Sequence, residues 1–289
     1  MIKIARHRSR GPHSENYARQ MTEALQDETG YMERSPRNFG GAMDTAELNV
    51  QAQCLMDPPG GAIDTWQAVV TAMQIHSAVF ASATASDESV ECTIGEKAHR
   101  IPASGPGVAA SAGRWVSAFW YAIICREQER MTRLCEVPVE LLRESERVGG
   151  FEIDEYAYRW VDALQRYWLR RPGFVEALTE TIELSHPDVA TVADPEALNK
   201  LLYQPINLFH RFVTHDVDGF NDALVEALEA HKAYWTADED RATDTSGNVP
   251  IGVLAIACLA YDGDIPIRVT SEYLPIKLLD RAWVGEFPT

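Results

Sequence analysis

Apolar and polar residues recur at three- and four-residue steps along most of the chain, which is the spacing of amphipathic helices. The pattern is clearest between residues 219 and 235. One face of that segment carries these side chains: Phe220, Leu224, Ala227, Leu228, His231 and Trp235. The opposite face carries Asp222, Glu226 and Glu229. We therefore expect a helix that turns its apolar side to the core and its acidic side outward, with Asp218 as its N-cap.

Two other segments are apolar around their whole circumference. Gly113 to Cys125 (GRWVSAFWYAIIC) and Ile251 to Tyr261 (IGVLAIACLAY) have almost no polar face. A helix of this kind has to be surrounded by protein. The sequence therefore predicts that both segments are among the most buried helices, and that the amphipathic helix lies over the second one.

The whole pattern predicts an all-α protein, in which antiparallel helical hairpins form a bundle or an α-solenoid-like array. The sequence shows no fixed-period repeat. One stretch, VECTIGEKAHRI, has short alternating runs on either side of Gly95, and it predicts one small β-hairpin near 89–101. The strongly charged run at 126–134 predicts a solvated ion-pair face made by these residues: Arg126, Glu127, Glu129, Arg130 and Arg133.

The predicted organisation has three parts. Residues 1–13 are expected to form a loose basic N-terminal arm, because they carry several Lys and Arg side chains and no helical pattern. Residues 14–106 are expected to form an N-terminal helical lobe that contains the hairpin, and residues 107–289 a C-terminal helical lobe. The boundary follows from the Pro- and Gly-rich loop at 102–107. The alternative is that the two lobes are one continuous domain.

Composition narrows the possible functions. The formal net charge of −17 argues against a nucleic-acid partner, because phosphate contacts require Lys and Arg. No apolar run approaches the roughly 20 residues that span a bilayer, so no membrane partner is expected. The five cysteines are scattered and form no CxxC pair, and the N-terminus has no secretory signal pattern. These observations favour a cytoplasmic protein with free thiols.

No catalytic signature is present. The sequence has no HExxH, Walker loop, GxSxG or Gly-rich dinucleotide turn after a strand. His210, His215 and His231 lie near one another in sequence with Glu226 and Glu229, but His210 and His215 diverge on a helix. His231 shares the apolar face, which is typical of a buried structural histidine with one hydrogen bond. The sequence therefore predicts no catalytic residue, no metal site and no cofactor.

Seven segments combine aromatic and small residues in a distinctive way, in order along most of the chain from about residue 64 onward. They are DTWQAVVTAMQIHSAVF (64–80), CTIGEKAHRIPASGP (92–106), FWYAIICREQERMTRLCEVP (119–138), DEYAYRWVDALQRYWLRRPG (154–173), LLYQPINLFHRF (201–212), ALEAHKAYWTADEDR (227–241) and LAIACLAYDGDIPIRVTSEYLPIKLL (254–279). Together they resemble the immunity protein 49 family of bacterial polymorphic-toxin systems. The resemblance implies a mainly helical cytoplasmic protein that protects its producer by binding a cognate toxin. It supplies no binding residues.

The charge distribution suggests where a partner binds. Residues 216–244 contain nine acidic residues against two basic ones, a net charge of −7. If the toxin is a nuclease it must be basic, and an acidic inhibitor can imitate nucleic acid and associate quickly by electrostatic steering. The predicted partner-binding residues are Asp222, Glu226, Glu229, Tyr234, Trp235, Asp238, Glu239 and Asp240. The acids at 238–240 lie beyond the helix C-terminus, where the macrodipole does not help them, which suggests a role other than folding. The alternative is a solvated acidic face with no partner.

Three functional hypotheses follow. The first is an immunity protein that binds and neutralises a toxin domain. The second is a helical adaptor or scaffold that binds another host protein. The third is an enzyme that uses a metal or carboxylate cluster around Glu226, Glu229 and His231.

Overall fold

The computed structural model describes residues 2–287 and 289, and most of them are helical. The α-helices in chain order are α1 (Ser14–Met32), α2 (Phe39–Met56), α3 (Ile63–Ala83), α4 (Ala112–Cys125), α5 (Gln128–Cys135), α6 (Val139–Gly149), α7 (Glu155–Trp168), α8 (Phe174–Leu184), α9 (Pro195–Ala197), α10 (Tyr203–Val213), α11 (Val217–Trp235), α12 (Glu239–Thr243), α13 (Ile251–Asp262) and α14 (Ile276–Leu279). The strands are β1 (Ile2–Ile4), β2 (Ser89–Ile94), β3 (Lys97–Pro102) and β4 (Val269–Ser271). The prediction of an all-α protein is confirmed. Within the described residues, no helix is both long and apolar enough to cross a membrane.

The predicted β-hairpin is present. Strands β2 and β3 pair antiparallel, with Ser89 opposite Pro102 and Ile94 opposite Lys97. The turn places Gly95 at φ +63°, a conformation that glycine adopts without steric cost. The hairpin packs against α3, where the Gln74 side chain accepts a hydrogen bond from the Gly95 amide at 2.7 Å. A two-stranded hairpin is marginal alone, so this contact with the helical layer accounts for its order.

A second sheet corrects the expectation of a loose arm. Strand β1 pairs in parallel with β4, and Ile2 lies opposite Val269. The arm continues across the protein surface after the strand. Arg6 is buried and donates to the Cys54 carbonyl at 3.0 Å, and His7 packs on Tyr273. The part of the chain that the structure describes therefore contains two small β elements rather than the one predicted. The division into two lobes at residue 106 stays a prediction.

Removing the Tyr273 hydroxyl should loosen this arm. The buried hydroxyl accepts from the His7 amide at 3.1 Å and lies 2.6 Å from its Nδ1. Tyr273→Phe leaves both groups without that partner, so we expect the free energy of unfolding to fall by about 1–2 kcal/mol. Denaturant titration measures this loss. Tyr31→Phe, on an exposed ring, is the control and should change the free energy by less than about 0.5 kcal/mol. Equal effects of the two variants would contradict the prediction.

Helices α4 and α13 lie at the centre, as predicted. In α4, Trp115 is completely buried and its indole nitrogen donates to the Leu134 carbonyl at 2.8 Å. In α13, every residue from Val253 to Cys258 is buried. Helices α3, α7 and α10 pack around this pair, and α11 covers part of α13. Most of both segments is buried among these neighbours, which accounts for their lack of a polar face.

Arg126, the residue that follows helix α4, is buried, whereas the sequence pattern predicted a solvated side chain. Arg126 has a left-handed backbone (φ +58°), and its side chain is only 8% exposed. Its guanidinium donates to three backbone carbonyls, those of Ile124 at 2.9 Å, Leu278 at 2.7 Å and Leu279 at 2.8 Å. It also pairs with Asp262 at 3.0 Å. The predicted solvated ion-pair face is therefore wrong for Arg126, although Glu129 and Arg133 do form an exposed pair.

Candidate partner-binding site

Helix α11 carries most of the predicted site, and its start is fixed by an aspartate. The Asp216 carboxylate accepts a hydrogen bond from the Gly219 amide at 3.0 Å and forms an ion pair with Arg211 at 2.8 Å. The hydrogen bond from the Gly219 amide is the largest cause and Arg211 adds to it, and together they hold the pKa of Asp216 below its usual range. The N-cap is thus Asp216 rather than the predicted Asp218. Asp218 lies in the first turn, where it is exposed and pairs with Arg268.

The apolar side of α11 is buried as expected. Phe220, Leu224 and Leu228 are fully enclosed, and His231 is 4% exposed. The His231 Nε2 atom lies 2.9 Å from the Gly247 carbonyl oxygen, and the Tyr273 ring packs against it edge-on. Burial lowers the pKa of His231 to about 4, so the imidazole is neutral at pH 7. The prediction of a structural histidine with one hydrogen bond is confirmed.

The acidic side of α11 faces outward. Asp222, Glu226 and Glu229 are exposed, and none of the three forms an ion pair with another described residue. They do not meet His231, which lies on the buried side of the same helix. Throughout residues 2–287 and 289, no group of three or more His, Cys, Asp or Glu side chains is placed to hold a metal ion. The three carboxylates can attract a cationic surface, and they are not grouped for acid–base chemistry.

The acids beyond α11 have a role in folding that the sequence pattern did not reveal. A short helix, α12, begins directly after Asp238, whose carboxylate accepts from the Arg241 amide at 2.8 Å as an N-cap. Glu239 and Asp240 occupy the first turn of α12, where its macrodipole stabilises negative charge. The expectation that this cluster gains nothing from a helix is therefore wrong, because the helix that matters is α12. The same residues remain exposed.

The two aromatic residues of the predicted site lie at the junction of α11 and α12. Tyr234 and Trp235 are half-buried, and the Arg241 guanidinium carbon stands 4.3 Å from the Tyr234 ring centre. Arg241 also pairs with Glu196 at 2.8 Å, which ties α12 to α9. Trp235 packs so closely on Gly247 that a Cβ atom there would lie 2.7 Å from the ring.

A cavity of about 220 Å³ lies beside this junction, and the sequence pattern did not predict it. Trp235 and His231 line it from α11, together with Pro205 of α10, residues 200 and 201 before α10, and the start of α13. The Trp235 indole N–H is buried and has no acceptor among the described residues. The predicted site is thus divided between an exposed acidic helix face and a concave junction at the end of that helix.

Comparison with known proteins gives one match. A family model described as Immunity protein 49 matches residues 57–278, a range that begins just after α2 and includes every predicted partner-binding residue. No curated protein and no solved structure matches the chain.

Proposed function

The chain belongs to the immunity protein 49 family, and we propose that it binds a cognate bacterial toxin in the cytoplasm of the producing cell and neutralises it. Family membership is the observation that carries this proposal. Neutralisation by binding requires a rigid complementary surface and no catalytic group. Such a surface is available on α11, whose apolar side is locked into the core while three carboxylates point outward.

We further propose that the toxin is basic and nuclease-like, and that the outward face of α11 meets it. A protein that holds nucleic acid needs a cationic surface, which Asp222, Glu226 and Glu229 complement. These three acids support a partner-binding surface better than Asp238 does, because Asp238 already serves the fold as a helix cap. Complementary charge of this kind acts mainly on the association rate.

Co-expression tests the function itself. The toxin domain encoded beside this gene is expressed in a bacterial host with and without the protein. We expect the toxin alone to stop growth and the pair to restore growth, with both chains recovered in one complex. Continued growth arrest together with the absence of a complex would refute the proposal.

Charge reversal tests the surface. We expect Asp222→Lys, Glu226→Lys and Glu229→Lys in one variant to slow association with the toxin by at least about tenfold at low salt, because electrostatic steering is lost. The difference from the unmodified protein should shrink as salt rises, since exposed charges are screened. Stopped-flow fluorescence at several salt concentrations measures both effects.

A matched control carries the same change in net charge on another helix. Glu176, Glu183 and Asp188, on and just after α8, are also exposed. Their replacement by lysine should leave most of the association rate intact. If both triple variants slow association equally, net charge rather than the α11 face is responsible, and the proposed surface is wrong.

A further inference from the structure

The β2–β3 hairpin has two outer edges, and its backbone pairing shows which groups point outward. The Ala103 amide donates to the Glu88 carbonyl at 2.9 Å, so this pair, just beyond the strands, is hydrogen-bonded. Hydrogen-bonded and non-hydrogen-bonded pairs alternate along an antiparallel ladder. Counting from that pair, Glu91 and Thr93 occupy non-hydrogen-bonded positions of β2. Their N–H and C=O groups therefore point away from β3.

The outer edge of β3 is blocked by other parts of the protein. The Arg100 amide points outward and donates to the carboxylate of Glu33, the residue that follows α1, at 3.3 Å. Pro102 has no N–H, and its carbonyl accepts from the Ser82 hydroxyl at 2.7 Å. Proline and a covering side chain are common devices that keep a sheet edge from pairing. A further strand cannot pair along β3 without displacing Glu33.

The outer edge of β2 is open. Glu91 and Thr93 are exposed, and their backbone groups have no hydrogen-bond partner outside the hairpin in the part of the chain that the structure describes. Among residues 2–287 and 289, no third strand pairs with the hairpin. Buried backbone groups are nearly always paired, so these unpaired groups face water. An edge of this kind is a template for the addition of an extended strand.

The charges around the open edge favour a cationic strand. Exposed carboxylates that form no ion pair with another described residue lie on β2 or beside its ends: Asp87, Glu88, Glu91 and Glu96. Arg100 lies opposite Glu91 in the hairpin, but its guanidinium donates to the Ser89 hydroxyl at 2.6 Å. Neighbouring strands are stabilised by opposite charges and destabilised by like charges directly opposite each other. A second copy of β2 would bring the same acids together, so a basic strand is the better occupant.

We propose that the open edge of β2 adds an extended basic strand of the toxin to the hairpin. The inference rests on the proposed function, which supplies a basic toxin, and it adds a second contact to the α11 face. Main-chain hydrogen bonds to Glu91 and Thr93 provide the affinity. Because side chains alternate between the two faces of a strand, the residues on the Glu91 face of the added strand are cationic. Those on the other face are uncharged, because Arg130 and Arg133 of α5 lie near Cys92 there.

A short peptide replaces the toxin in the first experiment. Full-length ¹⁵N-labelled protein is titrated with an acetylated and amidated peptide in which lysine alternates with threonine. We expect saturable shifts of the Glu91 and Thr93 amide signals, with a Kd of about 0.1–1 mM because main-chain hydrogen bonds each contribute little net affinity. The same peptide with glutamate in place of lysine should bind at least about tenfold more weakly.

Two proline variants distinguish the two edges. Thr93→Pro removes an outward N–H and no hydrogen bond of the hairpin, and proline is tolerated where the N–H of an edge strand faces solvent. We expect it to weaken binding of the lysine peptide by at least about tenfold, as judged from the Glu91 signal. Ala98→Pro makes the same change directly opposite on β3, and it should leave the affinity unchanged. In both variants the Gly95 amide, which donates to Gln74, reports whether the hairpin stays in place.

Charge reversal is a second test that leaves the backbone unchanged. We expect Glu91→Lys to weaken binding of the lysine peptide by about 3- to 10-fold, and the loss should shrink as salt rises. Glu183→Lys, at an exposed position of α8, makes the same change in net charge and should leave the affinity unchanged. Equal effects of the two variants would overturn the role of Glu91.

The outcomes separate this inference from the proposed function. No saturable shift with the lysine peptide, equal binding of the glutamate peptide, or equal losses in Thr93→Pro and Ala98→Pro would overturn the strand-addition site even if the protein neutralises the toxin. A dimer in analytical ultracentrifugation that Thr93→Pro dissociates would assign the edge to a second copy of the chain and overturn the toxin as occupant. In the growth assay we expect Thr93→Pro to protect less well than Ala98→Pro, and equal protection would show that the toxin does not use this edge. Peptide binding without growth rescue by the unmodified protein would refute toxin neutralisation and, with it, the toxin as occupant.

Discussion

Replacement of Arg126 by alanine is expected to lower the free energy of unfolding by about 3–5 kcal/mol, the cost typical of breaking a buried ion pair. The guanidinium is almost wholly enclosed and bridges the end of α4 to the segment at α14 through three carbonyl oxygens. Without it those carbonyls and Asp262 lose a charged donor in a place that water reaches poorly. Denaturant titration followed by circular dichroism measures the loss.

Two companion variants make the comparison specific. Arg133→Ala removes an arginine from the nearby exposed pair with Glu129, and it should cost less than about 1 kcal/mol because exposed pairs contribute little. Arg126→Gly relieves the left-handed backbone that Arg126 adopts at φ +58°, so it should be more stable than Arg126→Ala. A loss in Arg126→Ala no larger than in Arg133→Ala would show that the guanidinium contacts contribute little.

Mild acid is expected to destabilise the protein by several kcal/mol, because two buried histidines, His76 and His231, and the half-buried His7 resist protonation in the folded state. Burial is the main cause for each, and it lowers the pKa to about 4 in His7 and His231 and to about 3 in His76. The positive charges of Arg6, Arg8 and Lys232 add to the effect at His7.

The direction follows from comparison with the unfolded chain, where histidine has a pKa near 6.5. Above that pH each histidine is neutral in both the folded and the unfolded state, so the free energy of unfolding is not reduced by their protonation. As the pH falls from about 6.5 to 4, the unfolded chain binds protons that the folded protein excludes. His76 and His231 each remove about 1.4 kcal/mol per pH unit, and the half-buried His7 removes less because solvent screens it. Glu47 acts in the opposite sense, because burial raises its pKa in the folded state, and it offsets part of the loss near the lower end.

Single substitutions can separate the contributions of the individual histidines to the pH dependence of stability. His76→Gln removes one titrating group at the seam of α2, α3 and α4, and it should reduce the slope of stability against pH by about one third. His231→Gln should do the same. His186→Gln, at an exposed histidine, is the control for the replacement itself. A slope that is equal in His76→Gln and the unmodified protein would show that the pKa of His76 is the same in the folded and unfolded states.

Local patterns predicted the helices and the character of their faces. The three-four spacing in α11 was sufficient to place His231 inside and Glu226 outside, and the absence of a polar face was sufficient for α4 and α13. Burial makes these patterns reliable because each side chain must match its surroundings. The predicted N-cap of α11 was wrong by two residues. Asp216 and Asp218 are both aspartates, and only the path of the backbone selects Asp216 as the cap.

The features that escaped prediction depend on distant parts of the chain. Strand β1 pairs with residues 269–271, and three residues give too short a pattern to indicate a strand. Arg126 looks like a surface residue until the carbonyls of Leu278 and Leu279 surround it. The cavity beside the end of α11 likewise assembles residues from positions 51, 200–205, 227–235 and 246–253, so no single segment carries its signature. Asp222, Glu226 and Glu229 of the proposed partner surface could be identified from sequence because they occupy one helix face.

The pairing of β1 with β4 has a consequence for the order in which the protein matures. Ile2 is synthesised 267 positions before its partner Val269. At roughly 5–20 residues per second, the first strand waits about 13–53 seconds before its partner exists. The arm that includes Arg6 and His7 therefore docks after much of the helical core has had time to form. Newly made chains pass through a state in which the surface under the arm is still uncovered.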